Sequence, residues 1–137
     1  MTSTGPPDAE PSTVSLPGVT APDIREVRRR VADAAVRVGI HPDDAAQFTV
    51  AVNEVVINAI RHGGGIADIT IATKGDEVTV QVRDHGPGLP ASASAALPPP
   101  DQLGGRGLWL VRQLCDNVTF HSSRSGTFVV LSAASGA

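Results

Sequence analysis

The sequence is short of several things, and each shortage narrows the field. Aromatic residues make up only 3 % of the 137 positions. A core must therefore be filled by Val, Ile, Leu and Ala, and an apolar content of 41 % is enough for one. The single cysteine, Cys115, excludes an internal disulfide; it lies in the apolar run LWLVRQLC and reads as a core thiol. No apolar stretch approaches the ~18 residues of a membrane span. The N-terminus lacks the charged and apolar regions of a secretory signal, so a cytoplasmic location is expected. Lys plus Arg number 11 against 14 Asp plus Glu, a net charge of −3 with a pI near 5.7. A direct nucleic-acid binder would need a basic balance instead. Two phosphate-binding signatures are also missing. There is no G-x-x-x-x-G-K-[ST], and no G-x-G-x-x-G leading out of a first strand, which excludes a P-loop and a dinucleotide fold.

What is present suits one domain. Residues 1–20 are rich in Thr, Ser and Pro and are expected to be mostly disordered, with a short strand considered around Ser12 to Leu16. Ile24, Val27, Val31, Ala34, Ala35 and Val38 then recur at helical steps, and Gly39 is placed to end that helix. HPDD opens a second helix, with Pro42 in the first turn and Asp43 and Asp44 at its positive end, running to about His62. After the glycines the period changes to two. Ile66 to Thr73 and Glu77 to Arg83 read as strands joined by KGD. The Gly-, Pro- and Ala-rich segment 86–105 is expected to be a lid. LWLVRQLCD reads as a third helix, and NVTFHSS and GTFVVLSA as two more strands. The hairpins predict an α/β sandwich, a mixed, mostly antiparallel sheet with three helices on one face. Its folded domain spans 21–134.

The second helix carries an unusual stripe. At about 100° per residue, with Glu54 as zero, Asn58 lies about 40° round, Arg61 about −20°, His62 about 80° and Gln47 about 20°. Phe48, Val52, Val55, Val56, Ala59 and Ile60 fill the opposite arc. Glu54 and Asn58 are one turn apart and can converge on one point. On this helix alone a solvated face is the plainer account. Two further motifs alter that. DHGPG follows a strand directly: Asp84 at a strand end can accept hydrogen bonds from a ligand, and Gly86 and Gly88 permit backbone conformations that side chains forbid. GGRGLWLV sets Gly104, Gly105 and Gly107 at a helix start, where backbone N–H groups and the helix dipole suit phosphate.

In this order, AVNEVVINAIRHG, DHGPGLP and GGRGLWLVRQLCD resemble the N, G1 and G2 boxes of the GHKL ATPase and kinase superfamily, which includes gyrase, heat-shock chaperone, histidine kinase and MutL. The resemblance covers roughly Pro22 to Ser132. It is nearest to the compact serine kinases that act as anti-sigma factors. It implies the histidine kinase-like ATPase fold, with ATP and Mg²⁺ as cofactors. Asn58 matches the Mg²⁺-coordinating asparagine, and Glu54 the general base. Asp84 matches the acceptor of the adenine amino group, helped by Thr127 on the late strand. Gly86 and Gly88 match the turn beneath the nucleotide. Gly105 and Gly107 match the phosphate-facing glycines, with Arg106 and Leu108 beside them. Arg61 and His62 have a weaker claim to the phosphates. His85 stands where Asn is common and reads as a neutral loop residue.

The resemblance further implies an ATP-dependent serine/threonine protein kinase and anti-sigma factor. Its partners would be a sigma factor and a STAS-type anti-anti-sigma protein that it phosphorylates, and homodimers are common among such kinases. Two other readings stand beside it: a non-catalytic ATP-binding module that organises a partner surface, and the catalytic piece of a histidine kinase or another GHKL ATPase. Histidine kinases commonly carry Asn where this chain has Glu54.

Overall fold

The structure is a computed structural model and describes residues 11–85, 106–123 and 126–136. The expected disordered residues 1–10 and the expected lid at 86–105, with Gly86, Gly88, Gly104 and Gly105, lie outside the described residues. In chain order the elements are β1 (Ser12–Val19), a short 3₁₀ turn (Ala21–Asp23), α1 (Ile24–Arg37), α2 (Pro42–His62), β2 (Ala67–Lys74), β3 (Glu77–Asp84), α3 (Arg106–Leu114), β4 (Asn117–Ser123) and β5 (Gly126–Ala134). The strands form one five-stranded sheet in the order β1-β2-β3-β5-β4, and every neighbouring pair is antiparallel.

The helices form where the periodicity places them. Val27, Val31, Ala34 and Ala35 make the buried stripe of α1, and its outer side is laced by Arg29 and Arg30 to Glu26 at 2.6 and 3.0 Å. Those two guanidinium groups hold the Glu26 carboxyl at a pKa of about 2. α2 begins at Pro42 as expected, with His41 Nδ1 accepting the Asp43 N–H at 3.1 Å. Phe48, Val52, Val55, Val56 and Ala59 line its buried face.

One face of the sheet meets these helices. Ile69 and Ile71 of β2, Val78, Val80 and Val82 of β3, and Val129 and Leu131 of β5 are all buried, and α3 adds Val111. Each such side chain withdrawn from water contributes roughly 1.5–3 kcal/mol, so a core nearly without aromatics is sufficient. The other face alternates outward with Thr70, Gln81, Arg83 and Val130, and Arg83 stacks on the Phe128 ring at 4.8 Å.

The short strand considered around Ser12 to Leu16 is present and runs further, as β1 (Ser12–Val19), in register with β2 from Ser12↔Thr73 to Leu16↔Ile69 and, after a shift, Val19↔Ala67. The Thr, Ser and Pro content made the segment read as mostly unstructured, and Pro17 and Gly18 interrupt its strand pattern. Both fall inside the register shift on an edge strand, where a missing N–H donor and a positive φ are tolerated.

Candidate functional site

The stripe of α2 survives in three dimensions. Glu54 and Asn58 are partly buried, and Arg61 and His62 are exposed on the last turn. Cβ atoms one turn apart on a helix are roughly 5–6 Å apart, so the first two side chains work over one patch. The Asn58 Nδ2 atom is buried and has no hydrogen-bond partner among the described residues. An amide can be turned end for end without changing shape. The relevant fact is therefore a buried amide edge with its capacity unspent, and leaving such a group unpaired costs about 1–3 kcal/mol.

Asp84 lies where β3 ends, and it is only 8 % exposed. Its Oδ1 accepts the backbone N–H of Thr127, on β5, at 2.9 Å. Thr127 is itself buried, so the two residues the sequence paired are brought together in the structure. Two glycines make room for the carboxylate. Gly63, directly after α2, is packed so closely that a β-carbon there would collide with the Asp84 side chain and the Ala59 carbonyl. Gly126 has φ +135°, and a β-carbon on it would collide with the Asp84 backbone. The end of the Asn58 helix, the end of β3 and the start of β5 thus close on one buried carboxylate. The sequence reading named neither glycine in that role. The triplet GGG after His62 and the GT pair before FVV were the available signals, and only the tertiary packing turns them into a cradle.

His85, expected to be a neutral loop residue, is tied down twice. Its N–H donates to the Gly63 carbonyl at 3.3 Å, and its Nε2 lies 2.8 Å from Asp68 Oδ2 on β2. The Gly18 N–H donates to Asp68 Oδ1 at 2.9 Å. That donor, then His85, holds the Asp68 carboxyl below its usual range.

On the far side, α3 starts at Arg106, immediately after the glycine pair, and packs against α2. Arg106, Gly107 and Leu108 therefore form its first turn, where backbone N–H groups lack helical partners. Among the described residues no group of three His, Cys, Asp or Glu could hold a metal ion alone. A cation in this site would need oxygen from Asn58 and from its own ligand. That is the usual situation for Mg²⁺ bound with phosphates, and the unspent amide of Asn58 fits it.

Comparisons with known proteins give the family of the chain. A model of the histidine kinase-like ATPase domain matches residues 19–133, and the chain belongs to that family. Membership implies an ATP site. An anti-sigma F factor of Anoxybacillus flavithermus is 30 % identical over 115 residues, 74 % of this chain and 79 % of that protein. The anti-sigma F factor of Geobacillus stearothermophilus is 31 % identical over 118 residues, 77 % and 81 % of the two chains. Among solved structures, the RsbU and RsbW domains of Rv1364c from Mycobacterium tuberculosis share the fold with a TM-score of 0.65 at 21 % identity. That match covers 92 % of this chain, which spans about a third (32 %) of the larger protein. Among the described residues no helix is long and apolar enough to cross a membrane.

Proposed function

We propose that this chain is an ATP- and Mg²⁺-dependent serine/threonine protein kinase and anti-sigma factor, which binds a sigma factor and phosphorylates a STAS-type anti-anti-sigma protein in the cytoplasm. One observation carries the reading. A carboxylate, Glu54, and Asn58, whose buried amide Nδ2 has no partner among the described residues, share a helical stripe whose end is packed against a buried strand-end aspartate. The similarity to two anti-sigma F factors over most of their length supports the choice of partners.

Phosphoryl transfer is mostly positioning and neutralisation of charge, and each described residue has a part in it. Asp84, held by the Thr127 N–H, accepts the adenine amino group, and Thr127 closes the same end. Asn58 would hold Mg²⁺ through its side-chain oxygen, and the cation would supply charge neutralisation at the phosphates. The first turn of α3, with Arg106, Gly107 and Leu108, would offer peptide N–H groups to them; Gly86, Gly88 and Gly105, outside the described residues, are assigned to the same nucleotide by the resemblance alone. Glu54 takes the proton of the incoming serine or threonine hydroxyl. That oxygen bonds to the γ-phosphorus, the bond to the β–γ bridging oxygen breaks, and ADP leaves. A second copy of the chain is part of the proposal, as a homodimer across which the sigma factor lies.

The test is incubation of the protein with [γ-³²P]ATP, Mg²⁺ and the STAS proteins of the same genome. Label on one STAS serine or threonine is the expected result. ATP binding without label on any of them would favour a non-catalytic ATP-binding module instead.

A further inference from the structure

We propose that His85 is a positioning residue for the nucleotide: its imidazole, anchored on Asp68, fixes the peptide that follows Asp84 and so keeps the Asp84 carboxylate aimed at the adenine edge. The inference rests on the nucleotide reading above and deepens it.

The argument begins with where β3 stops. Its pairing with β2 ends at Ala67↔Asp84, and its pairing with β5 ends at Arg83↔Phe128. Asp84 is therefore the last residue the sheet holds, and nothing in the strand ladders fixes the next peptide. A strand's final side chain is only as well oriented as the backbone that leaves it. Here that backbone is held by His85 from both ends. The main-chain N–H of His85 donates to Gly63 at the close of α2, and the side chain reaches across to Asp68 of β2. Asp68 is itself immobilised by the Gly18 N–H, inside the register shift of β1. A continuous set of contacts thus runs from the edge strand through Asp68 and His85 to the glycine that packs on Asp84.

The groups have the right chemistry for an anchor. Asp68 presents two oxygens, one to a fixed peptide donor and one to the imidazole. Arg83, the next outward residue of β3 and paired with Asp68 across the strands, adds positive charge on the same side. Both His85 and Asp68 are about half exposed, at 50 and 41 %. A pair so wet contributes little to global stability. Its consequence is local, on the direction in which the chain leaves β3.

The experiment is isothermal titration of Mg·ATP and of ADP into the full chain and four variants: His85→Ala, His85→Gln, Asp68→Ala and the double His85→Ala/Asp68→Ala. Melting temperatures are measured alongside. An exposed pair of this kind predicts a loss of affinity of about three- to fivefold in each alanine single variant. The double variant should be no weaker than the weaker single one, because the second substitution removes a contact already lost. Gln places an amide nitrogen where His has Nε2, so His85→Gln should bind within about twofold of the parent. His85→Ala should keep the parent's melting temperature. Parental affinity in His85→Ala would overturn the proposal. So would losses that multiply in the double variant, or a Gln variant no better than Ala. Failure of the parent itself to bind either nucleotide is a separate outcome, and it would overturn the nucleotide reading together with this one.

Discussion

Asp84 reaches its place because two residues around it have no β-carbon. At Gly63 the obstacle is contact alone, and at Gly126 both contact and a φ of +135° forbid a side chain. Gly63→Ala should therefore destabilise the fold by about 1–3 kcal/mol, the usual cost of overfilling a packed site, as read from the midpoint of a urea titration. The same variant should bind ATP more weakly at temperatures where it is fully folded, since the displaced group is the carboxylate itself. Cys115 makes the opposite kind of prediction. Burial, helped by the neighbouring Asp116 charge, pushes its thiol up to about 12. The thiolate is the reactive form, so at pH 8 the folded protein should react slowly with a disulfide reagent and quickly once urea unfolds it. Fast labelling of the native chain would show the thiol to be unburied. At this scale the sequence was a partial guide. Asp84, Glu54 and Asn58 stood out through the three boxes, and Thr127 through the late strand of the same resemblance. The glycine cradle and the His85 anchor depend on which elements meet in space, and residue identity alone does not state that.

At the scale of elements, α2 was the most legible. Its apolar residues recur at helical steps over six turns, its start is marked by Pro42, and its observed bounds match those expected. β1 was the least legible. Its three apolar residues, Val14, Leu16 and Val19, are interrupted by Pro17 and Gly18, and its partner among the described residues is a strand some fifty residues away (Ser15↔Thr70). Local pattern cannot reveal pairing of that range. Asp68 ties this strand to its neighbour, and that contact has a pH signature. Its carboxyl is held below the usual range, first by the Gly18 N–H and then by His85. A group depressed in this way adds stability above the carboxylate's unfolded pKa and loses it as the pH falls through the lower folded value. Asp68→Asn should therefore be less stable than the parent at neutral pH, and the two melting curves should converge in acid. A difference that stays constant down to pH 2 would assign the loss to something other than the charge.

For the whole molecule, the family implies an ATP site in a chain of net charge −3. Because a ligand that binds only the folded state stabilises it, Mg·ATP at 100 times its dissociation constant should add about 2.7 kcal/mol. Asp84→Asn should lose most of that increment in a thermal melt while its ligand-free melting temperature stays near the parent's. If ATP stabilises both proteins equally, Asp84 does not hold adenine. The central claim is that Glu54 and Asn58, one turn apart on one helix, divide the work between proton transfer and cation binding. The most direct measurement is the rate of phosphoryl transfer to the STAS partner by Glu54→Gln, with Mg·ATP affinity determined on the same preparation. Loss of a general base typically costs 10²–10⁴-fold, so the account predicts a rate reduced by about that factor with affinity unchanged. A Gln variant that phosphorylates its partner at the parent's rate would contradict it.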